Sequence, residues 1–108
     1  MELWTALVCL VADPKCAEFR RFGDDGKGAW VNVVGWAESA DKFHQKLIYF
    51  SGTLDCLVTE FQKVQLLENR LEEDEIPDEL FTMKSTAIRQ PGDMIFGSFH
   101  IWTQSDIN

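Results

Sequence analysis

The run Leu3–Ala12 (LWTALVCLVA) constrains the fold more than any other stretch of the 108-residue chain. Side chains of a strand alternate between two faces, and here apolar residues occupy both sets. Such a strand must be covered on both sides or lie centrally in a sheet. Ten residues are too few to cross a bilayer as a helix. The run also lacks the positive flank of a secretion signal, carrying Glu2 there instead. The bulky Val8 before Cys9 is wrong for a lipoprotein cleavage site. The run reads as a buried strand.

Asp13–Pro14 breaks the pattern. Residues 14–22 fit either a short helix ending at Gly23 or one arm of a long hairpin. The Asp24-Asp25-Gly26-Lys27-Gly28 turn signal favours the hairpin. Ala29–Ala37 (AWVNVVGWA) is a second strand. Trp30, Asn32, Val34 and Trp36 share one face; the small and β-branched set on the other is expected to meet the helices. Ser39 and Asp41 open a helix whose stripe is Ala40, Phe43, Leu47 and Phe50, with Gly52 as its stop. Asp55–Leu67 reads as a third strand that loses phase near Val64, a sign of a bulge or an edge.

Residues 68–79 hold seven carboxylates in twelve positions and read as a connection into a second helix, with Pro77 in its first turn and a stripe of Leu80, Met83, Ala87 and Ile88. Gln90-Pro91-Gly92 ends that helix. Met94–Trp102 is the last strand, interrupted at Gly97. The order β-β-α-β-α-β predicts one α+β domain over residues 1–108: a two-layer sandwich of a mostly antiparallel four-stranded sheet with two helices on one face. Strands two and three are expected to run parallel across the intervening helix. The layout resembles ferredoxin-like two-layer domains in general architecture, although their usual order is β-α-β-β-α-β.

The chemistry-bearing residues are sparse. Cys9, Cys16 and Cys56 are an odd, scattered set, expected to be reduced thiols in a cytoplasmic protein. Neither His44 nor His100 has a second ligand at metal spacing, so no metal and no cofactor are expected. Cys56 with either histidine is a candidate thiol–base pair, but nothing basic lies beside Cys56 in sequence. The Gly23–Gly28 segment lacks the Gly-Lys-Ser/Thr ending of a phosphate loop. The expectation is therefore not an enzyme.

The formal charge of −8 disfavours nucleic acid and anionic membranes as partners and favours a basic protein. The leading expectation is a small acidic protein-binding domain, such as an immunity or inhibitor protein that neutralises a basic toxin or enzyme. Glu72, Glu73, Asp74, Glu75 and Asp78 are its candidate contact residues, and neutralising the first four together is expected to spare the fold. Alternatively, Trp30, Trp36, His100 and Trp102 line an aromatic pocket for a small ligand or substrate. A third expectation is a structural homodimer, since four Trp and eight Phe exceed what one small core needs.

Overall fold

The computed structural model describes residues 1–16, 22 and 26–103. The first strand, β1 (Glu2–Ala12), pairs antiparallel with β2 (Gly26–Ala37) on one side. On its other side it pairs antiparallel with β3 (Cys56–Leu66). β2 and β3 therefore run in the same direction, separated by β1, with α1 (Ala40–Thr53) between them in the chain. The central place of β1 is what its two apolar faces required. The alternatives for residues 14–22 lie mostly outside the described residues; of the turn expected at 24–28, Asp24 and Asp25 lie outside them, and Gly26–Gly28 instead open β2. At 13–16 the chain turns, with the Cys16 amide donating to the Asp13 carbonyl at 2.9 Å.

The helices do not share a face of the sheet. Val31, Val33 and Ala37 of β2 join a core with Phe43 and Leu47 of α1. Val34, one residue out of phase, joins a second core with Leu67, Leu80, Met83 and Ala87. Those residues belong to α2 (Leu67–Leu71) and α3 (Glu79–Arg89). Neighbouring strand residues point to opposite faces, so α1 covers one side and α2–α3 the other. The expected two-layer arrangement is thus corrected to a sheet with helices on both sides. The physical reason is apolar demand: Leu3 and Val34 face the α3 side, and leaving such side chains in water forfeits roughly 1.5–3 kcal/mol each.

A local signal sets the start of α1. The Ser39 hydroxyl accepts the Lys42 amide at 3.2 Å and caps α1. The stop at Gly52 is displaced, because α1 runs to Thr53 and the left-handed residue beyond it is Asp55, φ 60°. In α3, Leu80, Met83 and Ala87 are buried as expected, whereas Ile88 is exposed. α2 takes the last residue of the expected third strand, Leu67, and the first four of the acidic segment, which is therefore not a plain connection throughout.

The last strand is two. β4 (Ile95–Phe96) pairs with Val33–Val34, and β5 (His100–Thr103) pairs with Gly26–Trp30, both along the free edge of β2. The sheet thus has five strands rather than four. Gly97 sits at the break. A Cβ there would lie 2.7 Å from a Glu79 carboxylate oxygen and 3.0 Å from the Met83 sulfur. At the opposite edge, β3 loses register with β1 at two places, and Lys63 within it has φ 54°. This bulge on an edge strand accounts for the phase slip near Val64.

Candidate functional site

Three groups of side chains could meet a ligand or partner. The first is a polar cluster at the start of α3. The Asn32 side-chain amide donates to Glu79 Oε1 at 3.2 Å, and the Ser98 backbone N–H donates to Oε2 at 2.9 Å. Burial disfavours the charged form of Glu79, but these hydrogen bonds, one with the Ser98 hydroxyl, and the field of His100 outweigh it. They hold the carboxyl below its ordinary value of 4.5. Both carboxylate oxygens are engaged, so Glu79 acts as a tie that joins α3, β2 and the β4–β5 break. That arrangement fixes structure and leaves no free base.

The second group is the aromatic set. Strand pairing places Trp30 opposite His100, and Gly28 opposite Trp102, so these three side chains share one sheet face. Trp36 faces the same side but lies six residues further along β2, about 20 Å away at strand spacing. Its indole N–H donates to the Ala87 carbonyl of α3 at 2.9 Å. The four residues therefore do not line one pocket: Trp36 belongs to the α3 packing, and the other three to the far end of the sheet. His100 is exposed, and the Trp102 indole N–H is buried without a hydrogen-bond partner among the described residues.

The third group spans α2, the acidic turn after it, and an open cavity of about 260 Å³. Leu3 and Trp36, cross-strand neighbours, contribute apolar wall, with Leu67 from α2. Glu2, Glu68 and Lys84 bring charge to the same cavity, and Met1 completes it. Among the described residues none of these three charged groups has an ion pair; the one ion pair is Arg70–Glu73. The Arg70 side chain is only 8% exposed and Glu73 is 43% exposed. Glu73 also accepts from Gln65 of β3 at 3.1 Å, so its carboxylate ties α2 to the sheet.

The remaining carboxylates of the turn stand differently. Glu72, Asp74, Glu75 and Asp78 are all exposed. Asp78 occupies the N-cap position of α3 without a side-chain cap bond. No protein-family model, curated protein or solved structure matches the chain. A functional reading has to come from the site's own chemistry.

Other sequence candidates are spread apart. Cys9 and Cys56 are buried, and Cys16 is half-buried. Cys56 lies in the α1-side core. His44 is an exposed residue of α1, its ring tilted at 41° against that of Phe61 of β3 with centroids 3.8 Å apart. The described residues bring together no group of three or more His, Cys, Asp or Glu placed to hold a metal ion. No helix among them is long and apolar enough to cross a membrane. The cavity residues Glu2, Leu3, Leu67 and Lys84 had no signal as a group, because they meet only once α2 and α3 fold onto the far side of β1 and β2.

Proposed function

We propose that this chain is a binding module for a basic protein partner, in the manner of an inhibitor or immunity protein that neutralises a basic toxin or enzyme. One observation carries the reading. In the turn between α2 and α3, Glu73 is used internally, while Glu72, Asp74 and Glu75 are exposed with no cation paired to them among the described residues. Three unpaired carboxylates on a short, anchored turn add repulsion and little stability. They do generate a local negative field in a chain already at −8, which steers a cationic partner and raises its association rate.

The test begins with capture of partners at low salt and their identification by mass spectrometry. Association is then timed for the wild type and for the variant E72Q/D74N/E75Q. At about 50 mM salt the variant should associate on the order of tenfold more slowly, with the difference shrinking as salt rises. Its dissociation rate and its melting curve should match the wild type. An unchanged association rate at low salt would defeat the proposal.

A further inference from the structure

We propose that the cavity between β1, β2, α2 and α3 receives an arginine side chain of that basic partner, with Trp36 as its apolar wall and Glu2 and Glu68 as its charge acceptors. The inference rests on the basic-partner reading and deepens it. The volume, about 260 Å³, falls below the range of roughly 300–1,000 Å³ usual for whole small-molecule ligands, and suits a single inserted side chain. The polar edge of Trp36 is taken up by Ala87, which fixes the ring and leaves hydrocarbon for a guest. Leu3 and Leu67 extend that apolar wall. An aliphatic stem ending in a flat cation matches such a lining.

Guanidinium fits better than ammonium for two reasons. It is planar and weakly hydrated, so it stacks on an aromatic face, and it meets carboxylates through paired N–H donors. Glu2 and Glu68 bring two carboxylates to the cavity, which also holds Lys84 and the Met1 amino terminus. Neither carboxylate has an ion pair among the described residues, so both can accept. The cavity also adjoins the steering turn: Glu68 and Glu72 are four residues apart across α2, about 6 Å along the helix axis. A partner drawn in by Glu72, Asp74 and Glu75 would arrive beside the pocket.

Lys84 makes the idea sharply testable, because it opposes a cationic guest and would assist an anionic one. The full chain is titrated with N-acetyl-arginine N-methylamide while the Trp36 indole N–H is followed by NMR. The citrulline analogue, equal in shape but uncharged, serves as control. The arginine compound should shift the Trp36 signal saturably, and citrulline should bind on the order of tenfold more weakly. E2Q and E68Q should each weaken arginine binding about threefold, and K84Q should strengthen it by a similar factor. All three positions are exposed, so the amide spectrum should report an intact fold in each variant. Equal binding of arginine and citrulline, or weaker arginine binding in K84Q, would overturn the proposal. With a captured partner the roles separate kinetically: E68Q should raise the dissociation rate and leave association nearly unchanged. Slower association in E72Q/D74N/E75Q, with no Trp36 response to arginine, would remove the pocket proposal and keep the basic-partner reading.

Discussion

Glu73 is the residue of the acidic turn whose loss the fold should feel. Its partner Arg70 is buried, with 6% of the residue exposed, at the contact of α2 with the sheet. Removing one member of a fully buried ion pair costs about 3–5 kcal/mol, because a charge is left without compensation. An exposed pair is worth about 0–1 kcal/mol. Here one partner is buried and the other is 43% exposed, so Glu73→Ala should fall between, near 2 kcal/mol. The same substitution frees Gln65, whose amide is near the surface and can turn to water at little cost. For a domain of this size about 1 kcal/mol moves the melting temperature by about 4 °C, so the expected drop is about 8 °C. Glu73→Gln keeps an acceptor for Arg70 and should lose about half as much. Urea and thermal unfolding read both numbers. Pairing Arg70→Met with Glu73→Gln removes the orphaned charge and should recover most of the loss. A Glu73→Ala variant within about 0.5 kcal/mol of wild type would refute the reasoning, since Arg70 would then have no need of its carboxylate. Neutralising Glu73 together with Glu72, Asp74 and Glu75 should therefore cost some stability, whereas neutralising those three alone should not.

Two further outcomes test the Glu79 tie. Gly97→Ala places a methyl 2.7 Å from the Glu79 carboxylate and should displace it, costing about 1–3 kcal/mol in urea unfolding; Gly92→Ala, with open space around it, should change stability by about 0.5 kcal/mol at most. Because the folded-state value of Glu79 is lowered, its contribution is present above the ordinary value of 4.5 and is lost as pH falls below that toward the depressed folded value. Glu79→Gln should therefore be less stable at neutral pH and lose less on acidification through that window, read as the difference between the two acid-unfolding curves. A constant gap between the curves from pH 6 down to about 3 would show that the carboxylate is not held in its charged form.

Legibility in the sequence followed the range of each interaction. α1 was plain because its stripe, Ser39 cap and first-turn Asp41 are all local. β1 and β2 were plain because β-branched and apolar residues persist over 11 and 12 residues. The edge position of β3 showed as a broken alternation before its bulge was seen. Hidden features depended on contacts distant in sequence. The interruption at Gly97 was visible, but its cause, the Glu79 carboxylate 18 positions earlier, was not. α2 is five residues long, and only Leu67 and Arg70, three apart, are buried in it. Within a segment of seven carboxylates that signal was outweighed by charge.

The placement of α2 and α3 was in fact written in the sequence, in the strands rather than in the helices. Leu3, Val34 and Trp36 lie out of phase with the residues that meet α1, and no sheet with helices on one face could cover both sets. Taken alone, α3 has a modest stripe and could pack anywhere; the strands decide its side. The same step explains why the candidate site was read only in half. Its acidic turn is a property of composition, visible without a fold. Its cavity needs Trp36 to be recognised as the floor beneath α3, and that follows only when the second face of β2 is seen to require a cover. The charge proposed to attract a partner and the pocket proposed to hold one thus lie in a single layer, α2, the turn and α3, laid over the end of the sheet where β1 begins.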